Sequence, residues 1–511
     1  MQINKTKNAV RNVTYGIIQK IVNIALPFVT RTVMIYVLGA NYLGLNSLFT
    51  SVLQVLNLAE LGVGSAMTFS MYKPIAEDDK ETICALMRLY KIYYRIIGTV
   101  ILAAGLMITP FIPSLIKQDV PSDINIYILY LMNLGSTVLS YWLFAYKNCL
   151  LYAHQRNDIV DRTSATVICL QQLIQVVTLF LFKNYYFYLV VVLAAQIVKN
   201  ITNAIIATRM FPDYRPQGKL AKVEVKKINQ RVEDLFTAKI GSTVVNSADS
   251  IVISAFMGLT ALAMYNNYYY VMSSVSAFVS IVFTAITAGV GNSLVTASIE
   301  KNFSDFKKLT FIVSWICGFC LSCFYCLYQP FMEIWVGQEL MYGQAVVALF
   351  CFYFYLGAIS GIFTTYKDAA GIWHEDRFRS LVGAAANLIL NLAFVRQFGV
   401  YAILMSTILS YLVINIPWLI YNLFHVLFKR SAYRYIVQLL GYTGISIVGC
   451  AITAFCCNYI VLNGFIGLFV KAIVCIIVPN IFFLVVYFKT DMFRECIGLV
   501  KRIKGIRKTN Y

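Results

Sequence analysis

The sequence predicts an all-α integral membrane protein of about 14 transmembrane helices, two pseudo-symmetric six-helix lobes plus two C-terminal helices. Three observations predict it. Of 511 residues, 59% are hydrophobic and only 13% are charged, against about 25% charged in soluble domains. The apolar runs last about twenty residues or more, the length a helix needs to cross roughly 30 Å of hydrocarbon. Lys and Arg fall in alternate connections between those runs. Lipid cannot satisfy backbone polar groups, so a spanning chain must be helical or a closed barrel. Barrel strands alternate polar and apolar residues, and these runs do not.

Lys5, Lys7 and Arg11 precede the first run, 12–38. A signal peptide has an apolar region of only about 7–15 residues and a small-residue cleavage site. The run is longer and lacks the site, so it reads as a retained first helix. The next spans are 41–70, 92–112, 124–146, 163–182 and 186–208, completing an N-lobe over 1–210. A basic linker, 211–234, follows. The C-lobe over 235–428 holds spans 235–258, 262–298, 309–330, 341–366, 380–396 and 399–428. Two extra helices, 436–460 and 463–488, fill 429–488, and 489–511 is a basic tail.

Short cytoplasmic loops concentrate Lys and Arg. With the amino terminus inside, the inner segments collect most of the basic residues, for example Lys73 to Arg95, Lys147 to Arg162, Arg209 to Arg231, Lys301 to Lys308 and Lys489 to Lys508, while the outer side receives only Lys117, Lys183 and Arg396. Both termini are therefore expected in the cytoplasm. The same asymmetry accounts for the net charge of +19, which in a soluble protein would suggest a nucleic-acid partner. None is expected here.

A weak repeat relates the two lobes. A shift of 219 positions lays Lys20 on Lys239, Asn23 on Ser242, Pro27 on Asn246 and Gly39 on Gly258, and Gly62-Val63-Gly64 parallels Gly289-Val290-Gly291. Six spans per repeat make the copies parallel, related by an axis along the membrane normal.

Charges within spans mark function, because each costs at least about 2.5–3.5 kcal/mol to insert. They are Lys20, Arg31, Lys199, Lys239, Lys471, Glu60 and Asp249. Lys20, Asn23, Pro27 and Arg31 form one stripe of the first helix, with Lys20 and Arg31 about 16 Å apart along its axis. Lys239, Ser242, Asn246 and Ser250 form the equivalent stripe, and both are expected to face an aqueous cavity. Lys20, Arg31 and Lys239 would there favour a phosphate or carboxylate. Glu60 and Asp249 are candidates for ion coupling or for ion pairs, Glu60 with Lys20 being the obvious pair. Gln171, Gln172, Gln175, Gln196, Asn200 and Asn203 suit sugars or inter-helix bonds; Gln175, Lys199 and Asn200 are taken as cavity residues. Tyr268-Tyr269-Tyr270 reads as interfacial anchoring.

Cys317, Cys320, Cys323 and Cys326 lie along one helix and cannot converge on a single cluster, so they read as packing residues. His374 lacks a second ligand at metal spacing. No phosphate-binding loop for ATP is present, and no nucleophile–base set stands out. The expectation is transport without covalent chemistry, metal or cofactor.

The basic start and first helix, the segment VLGANYLGLNSLFTSVLQVLNLAELGVGSA and NSADSIVISAFMGL in the seventh helix resemble the polysaccharide-transport flippases of the multidrug/oligosaccharidyl-lipid/polysaccharide exporter superfamily. The resemblance covers nearly the whole layout. It implies two lobes in a V, alternating access, the bacterial inner membrane and a polyprenyl-diphosphate-linked oligosaccharide as substrate. Polymerase and glycosyltransferases of the same pathway would be partners, together with membrane lipid. The alternatives are a lipid II flippase, whose dense arginine pattern in the first two helices is not matched, and a cation-coupled multidrug exporter, whose acidic site reduces to Glu60. A polysaccharide polymerase would need a large outer loop with catalytic arginines, and the outer loops here are short.

Overall fold

A computed structural model describes residues 5–60, 62–117 and 120–498. Among them every regular element is a helix. The chain forms two compact units, Met1–Asn266 and Asn267–Tyr511.

The first unit contains α1 (Lys5–Val37), α2 (Ala40–Leu56), α3 (Val63–Ala76), α4 (Lys80–Ile108), α5 (Ile126–Trp142), the short α6 (Asn148–Ala153), α7 (Asn157–Phe182), α8 (Tyr185–Met210) and α9 (Lys222–Met257). Helix α1 packs along α7. At one end Arg11 and Arg156 both hold Asp158, at 2.5 and 2.9 Å. Asn12 bonds the Gln155 carbonyl and accepts from the Asp158 amide. Asp158 is only 3% exposed, and a carboxylate so buried needs such partners. Further along, Thr30 donates to Gln172.

Helix α2 meets the chain where α9 gives way to the next helix. A Cβ on Gly44 would lie 2.1 Å from the Leu259 carbonyl oxygen, so glycine is what lets the two backbones touch. Beside it Thr260 donates to Asn41 at 2.6 Å. These two residues are equivalent under the 219-residue shift, as are Gly39 (φ 107°, ψ 163°) and Gly258 (φ 97°, ψ 177°), which share one positive-φ, extended conformation. The parallel between Gly62 and Gly289 does not extend to structure. Gly62 has φ +91° and opens α3 after a 3-10 turn at Asn57–Glu60, whereas Gly289 lies inside a continuous helix.

The basic segments gather at one end of this unit. Lys80 pairs with Asp213 at 2.9 Å, Arg88 donates to the Gly218 carbonyl and Tyr93 to Asn229. The linker is only partly a loop, because α9 begins at Lys222. After Pro216 and Gly218 the sequence offers no helix breaker.

In the second unit, α10 (Leu259–Thr296), which begins in the first, leads to α11 (Ile299–Val336), α12 (Gln344–Ala370), α13 (Arg379–Phe398), α14 (Val400–Leu409), α15 (Ile416–Asn422), α16 (Tyr433–Asn458) and α17 (Gly464–Tyr487). Helix α11 is central, packed by α12, α16 and α17, with Phe311, Tyr442, Phe483 and Tyr487 in the core. Asp376 joins Lys367 and Arg379 at 3.2 and 2.6 Å. Two π-helical turns, at Ser410–Asn415 and Leu423–Leu427, interrupt the predicted span 399–428.

Each of the fourteen predicted spans coincides with helix. Among the described residues twelve helices are long and apolar enough to cross a membrane, and the bent pair α5–α6 makes up to thirteen. The predicted span 235–258 is the end of α9, where only Thr243–Met257 is an apolar stretch. The compact units divide inside α10 rather than in the linker, because α9 packs on α2 and α3. Tyr268 is not the interfacial anchor expected. It is fully buried, stacks on Tyr328 and Phe350, and donates to Gln329 at 2.8 Å, since a buried phenol needs a hydrogen-bond partner.

Candidate functional site

The break between α2 and α3 places a carboxylate inside the first unit. Glu60 ends the 3-10 turn, and its Oε1 lies over Gly64 on the first turn of α3, where a helix dipole favours negative charge. A Cβ on Gly64 would come within 3.1 Å of the Tyr90 hydroxyl. Tyr94 donates to Glu60 at 3.1 Å, Tyr90 donates to Tyr94 at 2.5 Å, and Tyr141 meets the Tyr94 ring edge-on.

These groups line a cavity of about 710 Å³ between α3, α4, α5, α6, α7 and α8. From α8 come Gln196, Lys199, Asn200 and Asn203, one polar stripe at helical spacing. Gln196 donates to Asn200, and Asn200 donates to the Ser140 carbonyl at 3.0 Å. The side-chain oxygens of Asn157 and Asn203 are buried without a hydrogen bond, an arrangement that a polar ligand or water would relieve. Lys199 makes no ion pair among the described residues. Tyr72, Tyr152 and Asn157 carry the cavity toward the end where the basic segments gather. Among the described residues the wall therefore offers one ammonium, one carboxylate, amides and phenol rings, groups that hydrogen-bond and stack on a polar solute.

The structure brings together Glu60, Lys199 and Asn200 of the residues singled out from sequence, with Gln196 and Asn203. Among the described residues it does not bring in Gln175, Lys20, Asn23, Arg31 or Asp249. Gln175 is fully buried between α7 and α8, accepting from Gln171 and donating to the Tyr188 carbonyl. Lys20 and Asn23 are exposed on α1, and no ion pair joins Lys20 to Glu60 among the described residues. Arg31 is half-buried, with its charge bearing on Tyr188. Asp249 is buried and accepts from Tyr265 at 3.4 Å. The side chains of Lys239, Ser242 and Asn246 lie outside the described residues.

The tyrosines were missed, and so was a second repeat, one copy of which lies beside the site. Tyr146-Lys147 and His154 recur as Tyr366-Lys367 and His374, a uniform shift of 220 positions. Lys147 donates to Thr208 at 2.6 Å beside the cavity, and burial against Phe211 holds the His154 imidazole below its ordinary pKa.

The profile of the polysaccharide biosynthesis protein family matches residues 9–287, which include the whole cavity. The chain belongs to that family. The resemblance to polysaccharide-transport flippases read from its helices is thereby borne out. No curated protein matches its sequence. Among solved structures this family member is similar to the lipid II flippase MurJ in an inward closed conformation (TM-score 0.64, 12% identity, covering 94% of this chain and 99% of that one). It is also similar to an inward-facing multidrug resistance MATE family transporter of the MOP superfamily (0.57, 14%, 83% and 100%) and to a mutant of the Vibrio cholerae MATE transporter VcmN (0.51, 12%, 84% and 100%). At such identities the likeness establishes the fold, that of multi-pass membrane transporters and flippases rather than enzymes.

Proposed function

We propose that this protein translocates polyprenyl-diphosphate-linked oligosaccharide units from the inner to the outer leaflet of the bacterial inner membrane for surface polysaccharide assembly, by alternating access driven by an ion gradient. The cavity within the family-matching half carries this reading. Its volume falls in the range of about 300–1,000 Å³ typical of small-molecule sites, and its amides and phenols suit a glycan. Lys199 supplies a cation, and Glu60 is the carboxylate proposed to exchange the coupling ion.

The diphosphate is assigned to Lys20, Arg31 and Lys239, with the lipid tail left in the bilayer. Arg31→Ala and Lys20→Ala should each lower export roughly ten- to hundredfold, the worth of one charge-assisted hydrogen bond. Arg31→Lys should keep part of it, because it retains charge but not the paired donors. Surface polysaccharide and the inner-leaflet intermediate are the quantities to measure. Normal export in both alanine variants refutes the assignment, and accumulation of lipid II in place of the oligosaccharide lipid favours the peptidoglycan reading.

Both termini and 211–234 are assigned to the cytoplasm from the distribution of Lys and Arg. Single cysteines placed in 211–234 of a cysteine-free background should resist an impermeant thiol reagent in whole cells. Rapid labelling there inverts the topology.

A further inference from the structure

Helix α11 carries four cysteines one turn apart, Cys317, Cys320, Cys323 and Cys326, and they do not converge on one another. The last of them meets two others from distant sequence. The sulfurs of Cys326, Cys457 on α16 and Cys475 on α17 all lie within 4.8 Å of one another, with Cys457 and Cys475 3.9 Å apart. Cys323, on the same side of α11 one turn earlier, packs against this cluster.

We infer that these three thiols form a binding site for a soft, thiophilic metal ion, Zn²⁺ or Cu⁺, that joins α11, α16 and α17. Zinc–sulfur bonds are about 2.3 Å long, so three thiolates in a plane around such an ion stand about 4.0 Å apart. The sulfurs are already near that spacing. Thiolate sets select Zn²⁺ and Cu⁺ over harder cations. Binding replaces three S–H bonds by three S–metal bonds and releases three protons. The resulting centre carries one negative charge with Zn²⁺ and two with Cu⁺.

An independent observation concerns that charge. Lys471 lies one turn before Cys475 on the same face of α17, and its charge bears on Cys457. It is half-buried in an apolar helix and makes no ion pair among the described residues. A lone ammonium within a span is expensive. An anionic thiolate–metal centre supplies its counterion, and with Zn²⁺ the two charges cancel.

The test uses the full-length protein, purified in detergent under reducing conditions and titrated separately with Zn²⁺, Cu⁺ and Co²⁺. One equivalent should bind, with a sulfur-to-cobalt charge-transfer band, proton release and protection of three thiols from maleimide. Cys326→Ser, Cys457→Ser and Cys475→Ser should each lower affinity by more than the roughly 10–100-fold that an outer-shell partner is worth, and Lys471→Met by about tenfold. Cys351→Ser, buried outside the cluster, should bind as the wild type does. The relative strength of the Zn²⁺ and Cu⁺ titrations decides between the two ions. Wild-type protein that binds no metal and leaves its thiols unprotected overturns the site, with no reliance on variants that misfold. Stoichiometric binding that survives all three serine substitutions overturns it equally.

Discussion

Gly44→Ala is expected to leave little folded protein in the membrane. The added methyl would sit 2.1 Å from the Leu259 carbonyl oxygen and 2.8 Å from its carbon. Both atoms are backbone, so no side chain can swing aside. Overpacking ordinarily costs about 1–3 kcal/mol where neighbours can give; here they cannot, and α2 must separate from the α9–α10 junction. A domain has only about 5–15 kcal/mol of total stability to lose. Gly135→Ala is the matched control, because nothing lies within 4 Å of its Cβ and alanine favours the helix by about 1 kcal/mol. Yield of monodisperse protein in detergent and its melting temperature measure both. A Gly44→Ala protein that melts with the wild type would refute the close approach.

Lys199→Ala is the second large effect expected. Without the ammonium the cavity keeps its amides and phenols but loses the one lysine among its described lining residues, and export should fall roughly ten- to hundredfold with the protein still present in the membrane. Asn203→Leu, which replaces an unbonded buried oxygen by an apolar group, should reduce export without unfolding the protein. Glu60→Gln keeps the shape and the acceptor for Tyr94 but cannot carry a proton or hold a cation as a carboxylate does. Its export should lose dependence on the ion gradient. The measurements are export in cells under imposed gradients and the amount of protein in the membrane. Export that is normal in Lys199→Ala would remove the cavity from the transport path.

Helix existence was legible in the sequence because lipid imposes a length and an apolarity that few other structures share. The breaks were less so. Glu60 lies at an interruption of the predicted span 41–70, and its only local signal is Gly62, because a glycine in a span does not by itself reveal a positive φ. Lys199 and Asn200 were found because charge and amides within a span are costly and so point to function. Gln175 obeyed the same rule and yet serves packing, since an amide satisfied by a neighbouring helix looks identical in sequence to one facing a cavity. Phenols such as Tyr94 and Tyr141 give no signal at all, because a tyrosine in a span is equally at home in a core or at an interface. The thiol cluster depends on residues more than a hundred positions apart, which spacing along one helix cannot reveal.

The contact between Asn41 and Thr260 joins equivalent positions of the two repeats, separated by 219 residues. Ribosomes add about 5–20 residues per second, so the surface around Gly44 waits roughly 10–45 s for its partner to be made. During that interval α2 presents a glycine-lined groove to lipid or to the insertion machinery. Biogenesis thus has an order written into it: the early helices enter the bilayer first, and their seam closes only when the second copy of the hairpin arrives. Nascent chains stalled before Leu259 should be held by membrane insertases and degraded when released, whereas chains stalled after α10 should already be resistant to protease.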